Sequence, residues 1–411
     1  MQLIGILLGF IIILFLNSKK INMGLSLLIG AISAGLLSQM SIQEISLVIY
    51  EAIVEPVTLQ LIIVVTVISG LGYILKETGD LDQMIDSLIS IVKNGKLLSM
   101  LLPALIGTLS VPGGAILSAP LINESGDRIS LDNVRKTASN LFFRHIFLFG
   151  YPLYGALILT GELFSVGKTF ILRYNALIML AGIISAYLVF FNNSHQERDD
   201  SIKNDDKGET IKEIMRFFIS FLPILVIIVL ALLFDVAFHY AVFVGLLIAV
   251  IRKLPEGNKV VEFSKRMKRF VFEGVNYKMA GLIIGVMAFK SIVEASGAVN
   301  GLANFLTHSG VPLSLMITVL GLITGYLTGM TMAALGILAP IFIPLFPEGN
   351  VGPYISLLFT TAFVGYLISP IHLCLALTKE YFEVSFKSVY RITAIPGLVM
   401  VVVALLQVMI G

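Results

Sequence analysis

Ten apolar runs of near membrane-crossing length punctuate this sequence, and they leave few folds open. A helix that spans the hydrocarbon core of a bilayer needs about 20 largely apolar residues. The runs cover 2–17, 22–38, 56–76, 138–158 and 172–191, then 216–235, 239–252, 275–293, 355–377 and 391–410. Of the 411 residues, 57% are hydrophobic and only 13% charged, whereas soluble domains carry about 25% charged residues. Too few charges remain to coat a soluble surface of this size. The composition excludes a water-soluble enzyme and predicts an all-α polytopic membrane protein embedded in the lipid bilayer. A net charge of +2 is no basic footprint for a nucleic-acid partner. The single cysteine, Cys374, excludes intrachain disulfides and multi-cysteine metal centres. The first run is followed by Lys19 and Lys20 and by no small-residue cleavage site, so it reads as a retained span.

Two further apolar stretches, 97–122 and 314–343, are interrupted near their middles. The interruptions are Leu109-Ser110-Val111-Pro112-Gly113-Gly114 and Leu327-Thr328-Gly329-Met330-Thr331. Arms of about 10–14 residues are short for a crossing and suit re-entrant hairpins. Segments 41–54 and 259–272 carry apolar residues at helical spacing among charged ones, the pattern of a helix lying in the interface. The polar stretch 192–214 reads as a linker between residues 1–191 and 215–411. With both hairpins re-entrant, the loops near 19–20, 76–96, 123–136, 198–216, 252–278 and 379–391 fall on one side. They hold 24 of the 28 Lys and Arg. By the positive-inside rule that side is cytoplasmic, and both termini of this multi-pass protein of the cell (inner) membrane are extracytoplasmic.

Sliding the chain on itself by 218 residues aligns Glu55 with Glu273, Gly79 with Gly297, Gly107 with Gly325 and Pro152 with Pro370. The matches fall at equivalent places: span entry, span exit, hairpin break and broken span. Five crossings and one hairpin per half make the second copy upside down. Two such inverted repeats are the plan of secondary transporters, whose sites form at mid-membrane where broken helices meet.

The candidate binding residues follow from that plan. At the hairpin tips, Gly113, Gly114 and Gly329 free the backbone for close approach. Ser110, Thr328 and Thr331 add hydroxyls, with Pro112 completing the first break. The second arm of each hairpin begins at its tip, so its positive end favours an anion. Pro152 and Pro370 remove a backbone donor inside a span and expose carbonyls, which places Tyr151-Pro152 and Ser369-Pro370 opposite the tips. His372 is ionisable and well inside its span, and Arg144 could clamp a carboxylate or phosphate; Asn140, one turn earlier, shares its face. His372 and Cys374 are one residue apart and would not share a helix face, so no metal is expected beyond a possible sodium ion. No Asp lies in the middle of a span, which weakens a proton-exchange reading.

The plan of spans, interfacial helix, hairpin, Pro-broken span and final span resembles the ion-transporter superfamily of citrate, dicarboxylate and gluconate carriers. Within it, Ser110-Val111-Pro112-Gly113-Gly114-Ala115 and Ser369-Pro370-Ile371-His372-Leu373-Cys374 look most like an uncharacterised prokaryotic integral-membrane family. The sodium–dicarboxylate branch carries Ser-Asn-Thr at both tips, and this chain does not. The resemblance implies a homodimer in which a transport domain moves as an elevator against a scaffold. The expected function is secondary active transport of a small organic anion, coupled to sodium or protons, with no cofactor and no enzymatic activity. The alternatives are a sodium/proton antiporter and, further off, a membrane enzyme or lipid-handling protein.

Overall fold

The structure, a computed structural model, describes residues 2–109, 114–192, 194, 207–234, 236–254, 258–297, 310–347 and 349–410, and these contain helices and no strands. Five stretches among them are long and apolar enough to cross a membrane: Pro56–Glu77, Asn133–Leu163, Thr169–Phe190, Gly208–Leu232 and Phe386–Ile410. Shorter apolar helices fill the space between them.

In the first half the helices are α1 (Gln2–Ser18), α2 (Met23–Leu37), α3 (Ile42–Val54), α4 (Pro56–Glu77), α5 (Asp80–Ile91), α6 (Gly95–Thr108), α7 (Gly114–Asp127), α8 (Asn133–Ile146), α9 (Gly155–Leu163) and α10 (Lys168–Phe190). The second half holds α11 (Lys207–Leu232), α12 (Phe238–Ile251), α13 (Lys259–Arg269), α14 (Tyr277–Ala295), α15 (Leu313–Thr328), α16 (Thr331–Phe342), α17 (Val351–Leu367), α18 (Leu373–Tyr381) and α19 (Phe386–Ile410). Local chemistry sets the starts. Asn22 and Asn94 accept from the first free amides of α2 and α6, and Pro56 opens α4, where its missing N–H costs nothing. Ser41 and Glu44 form a reciprocal capping box on α3. That bonding to Ser41 holds the Glu44 carboxyl below its usual range.

Both interrupted apolar stretches are helix pairs, α6–α7 and α15–α16. At 1.5 Å per residue each 14-residue arm of the first pair is about 21 Å long. Both proline-bearing spans are also broken. After α8 the chain passes through a 3-10 turn (Phe147–Gly150) and an extended Tyr151 before α9. After α17, Ile368–His372 leave the helix before α18 begins.

Two features differ from the sequence expectation. The segment 76–96 is not simply a loop, because Asp80–Ile91 form α5, which buries Leu81, Met84 and Ile85 and packs on α11. Its apolar residues do recur at helical spacing, but the many charges around them mask the signal. The polar stretch 207–214 is the start of α11 rather than linker, and Glu213 accepts from Ser87 Oγ at 3.0 Å. These contacts help gather the basic loops. Buried Asp80 meets Lys253 at 2.8 Å, Arg269 meets Glu77 at 2.9 Å, and Ser220 donates to Gln83. Asn133 reaches the Phe382 carbonyl, so five of the six loops expected on the basic side are joined in two groups.

Helix packing follows a recurring pattern. α6 lies on α8 as α15 lies on α17, α7 on α18 as α16 on α9, and α10 on α19. The tightest crossings recur at the same 218-residue shift. A Cβ on Gly107 would strike the carbonyl of Arg144, and one on Gly325 would strike the carbonyl of Ala362. Gly79 and Gly297 both adopt the left-handed conformation, with φ of 70° and 67°. Outside this core, α2 crosses α14 at Gly24, where a Cβ would meet the backbone of Gly281.

That crossing yields a paired test. Gly24→Val should destabilise the protein by about 1–3 kcal/mol through overpacking. Gly281→Ala points its methyl into open space and should be neutral or stabilising by up to about 1 kcal/mol through helix propensity. Thermal melting of the two variants in the same detergent checks the difference.

Candidate functional site

The polar centre of the molecule is built on α8, which alone carries Asn140, Arg144 and His145, all buried. Its neighbours are α6, α7, α10, α18 and α19. Asn140 is fully engaged: it accepts from Ser118 Oγ at 2.6 Å and donates to the Ala115 carbonyl at 3.2 Å and Thr378 Oγ1 at 3.1 Å. It therefore ties α7, α8 and α18 together and has little capacity left for a ligand.

Arg144 is the opposite case. Only 5% exposed, it pairs with no carboxylate among the described residues, and its Nη1 is buried without an acceptor. The guanidinium lies against Gly114, the first residue of α7: a Cβ there would sit 2.9 Å from Nη1 and 3.0 Å from Cζ. A side chain at this position would push the cation off the helix N-terminus. A cation and the first residue of a helix meet here, and both a cation and a helix N-terminus favour a negative charge. An uncompensated buried charge costs several kcal/mol. The tip residues Ser110, Pro112 and Gly113 lie outside the described residues, and Gly114 is the member of that group placed here.

The second tip is well defined. Gly329 takes φ 63° and ends α15. Thr328 Oγ1 donates to the Thr324 carbonyl at 2.7 Å, closing its own helix rather than facing outward. Thr331 is buried at the start of α16, beside the Tyr154 hydroxyl. The tip meets the Pro370 break directly. Ser369 Oγ donates to the Tyr326 carbonyl at 2.6 Å, and a Cβ on Gly329 would sit 2.6 Å from Ile371. Pro370 itself is exposed. Tyr151, by contrast, lines a narrow crevice with Thr108, Leu109 and Ile68, and Pro152 faces Leu157, Ile171 and Phe238. The two prolines thus have different surroundings, although Tyr154 of the first break also reaches Thr331.

His372 occupies the N-cap of α18 with φ −68° and ψ 107°, so it is not on the helix that carries Cys374. On one continuous helix the two would point apart, but the break over Ile368–His372 frees His372 from the helical register of Cys374. His145 of α8 comes in from the other side, its ring centroid 4.8 Å from that of His372, and Tyr366 packs on both. One ligand atom from each of His145, His372 and Cys374 lies within 4.8 Å of the others. Sequence reasoning undervalued His145, Tyr154 and Tyr366. His145 directly follows Arg144 in the chain, Tyr154 belongs to the Gly150-Tyr151-Pro152-Leu153-Tyr154 break expected to face the tips, and Tyr366 carries no such signal.

The fold of this chain is similar to that in the crystal structure of the Alcanivorax borkumensis YdaH transporter, with a TM-score of 0.53 and 15% identity over 85% of each chain. No curated protein matches in sequence. Residues 3–410 match the family model described as "Protein of unknown function (DUF401)", and the chain belongs to that family.

Proposed function

We propose that this protein is a secondary active transporter of a small organic anion. The observation that carries the reading is the buried Arg144 guanidinium, unpaired among the described residues and lying against the N-terminus of α7. A carboxylate arriving there would supply the missing counter-charge and accept from the free amides of the helix start. Ser110, Pro112 and Gly113 precede that helix in the chain and would complete the cradle, while Thr331 at the start of α16 would offer a second set of amides. The likeness in fold to a transporter supports movement of a solute across the bilayer. The same 218-residue shift in sequence and in backbone crossings supports two inverted repeats with re-entrant hairpins, as in the ion-transporter superfamily. Elevator-type movement, a homodimer and extracytoplasmic termini complete the reading.

Coupling to sodium or protons would drive accumulation. Asp80 is the one fully buried carboxylate among the described residues, and it is paired with Lys253. Buried exchangeable carboxylates are what an antiporter relies on, so the anion reading is the stronger of the two.

The first test is binding. Purified protein is melted against succinate, citrate, gluconate and lactate, each with and without sodium. A true ligand at a hundred times its dissociation constant stabilises by about 2.7 kcal/mol. Arg144→Gln should lower the affinity by at least about tenfold, since a charged partner of this kind is worth roughly 2–5 kcal/mol. A variant that binds the same anion as tightly as the parent would remove Arg144 from the site.

Flux is the second. In proteoliposomes, His372→Ala and Ser110→Ala should each reduce uptake of the anion that binds. Proton movement driven by a sodium gradient alone, with no organic solute present, would favour the antiporter instead.

A further inference from the structure

We infer that His145, His372 and Cys374 form a binding site for a borderline or soft transition-metal ion, with Zn2+ the representative case. The inference stands independently of the anion reading.

Three observations carry it. The first is the ligand set. Two imidazoles and one thiol supply donors suited to zinc and to copper, unlike the oxygen donors that magnesium or calcium take. The second is pairing. His145 Nδ1 is 2.6 Å from the Leu141 carbonyl, and a hydrogen bond there leaves Nε2 free to bind. That is the usual arrangement of a metal-bound histidine, whose other nitrogen is held by a carbonyl or carboxylate. His372 is 2% exposed, and neither ring nitrogen has a hydrogen-bond partner. The Leu367 carbonyl approaches the ring outside hydrogen-bonding geometry. Buried imidazoles normally find partners, and an ion would provide one.

The third observation is distance. Around a tetrahedral zinc, with bonds of about 2.0–2.3 Å, ligand atoms lie roughly 3.4–3.6 Å apart. Here the three donor atoms lie within 4.8 Å of one another. Side-chain torsion closes a gap of about 1 Å, and Cys374 is only partly buried, so it has room to turn. Binding releases the thiol proton to solvent and leaves the sulfur bound as thiolate. Three protein ligands leave a fourth position open. Arg144 acts electrostatically on both imidazoles, so an anionic fourth ligand or the thiolate must offset the accumulated positive charge.

The chain's single cysteine makes the site directly readable. Full-length purified protein is labelled with a maleimide, with and without micromolar Zn2+. Zinc should slow labelling of Cys374, and a chelator should restore it. His145→Ala and His372→Ala should each require at least about tenfold more zinc for the same protection, whereas His239→Ala on α12 should require no more than the parent. Co2+ provides a second readout that needs no labelling: a thiolate-to-cobalt charge-transfer band in the near ultraviolet, absent from Cys374→Ser. A parent protein with neither zinc protection nor the cobalt band would overturn the site. If Cys374 does not react with the maleimide, the cobalt spectrum alone decides. Variants that lose their folded melting transition are replaced by His145→Gln and His372→Gln, which keep much of the side-chain volume.

Discussion

Backbone that leaves a helix inside hydrocarbon must find its partners within the protein, because each unpaired group costs several kcal/mol. The whole interior is organised by that constraint. This chain breaks its helices at the second hairpin tip and at both proline positions, and each break is repaired locally. Tyr154 donates to the Tyr151 carbonyl at 2.9 Å, and His372 to the Ser369 carbonyl at 3.1 Å. Thr328 turns its hydroxyl back onto its own helix. Ser369 spends its hydroxyl on Tyr326 and so fastens the broken span to the hairpin. Close backbone crossings at Gly107 and Gly325 then bring the hairpins against the neighbouring helices. Broken helices survive here because surrounding helices are near enough to complete them.

Electrostatics separates structural from functional charge. Lys136 is buried but meets Asp127 at 2.5 Å and Asn123 at 2.8 Å. Arg266 is buried but donates to the Val250, Arg252 and Lys253 carbonyls, finishing the end of α12. Each therefore explains itself as part of the framework. Arg144 is buried to the same degree and has no carboxylate partner among the described residues. A cation left so beside a helix N-terminus costs several kcal/mol, and an anionic ligand is the counter-charge we propose for it.

Much of this was legible in the sequence. Ten apolar runs and two interrupted ones lead to the helices, and Pro152 and Pro370 mark the breaks, because hydrophobic length and proline act locally. Less legible was what each break would meet. Helix α5 was hidden because Asp80, Asp82 and Asp86 outweigh a short apolar stripe in any average over the segment. Asn140 looked like a ligand from its position one turn before Arg144, yet its amide is consumed by Ser118, Ala115 and Thr378, contacts set by helices far away in the chain. His372 and Cys374 looked incompatible because an unbroken helix was assumed. A single non-helical residue changes which faces side chains share.

The 218-residue correspondence also shows where the two halves part. Gly107 and Gly325 match, as do Pro152 and Pro370, and these residues shape the backbone. The side chains that carry chemistry do not match: Arg144 corresponds to Ala362, His145 to Phe363, Cys374 to Ala156 and His372 to Tyr154. Backbone-shaping residues thus recur at the 218-residue shift, while the cation, imidazoles and thiol do not. A fully symmetric interior would place a second buried cation in the molecule, adding its own desolvation cost and repelling the first. Both halves therefore contribute to the centre near Arg144, His145 from the first and His372 and Cys374 from the second, while the matching positions carry Phe363, Tyr154 and Ala156. The polar groups are thus gathered at one centre to which both halves contribute, on a framework of matching backbone crossings at Gly107 and Gly325.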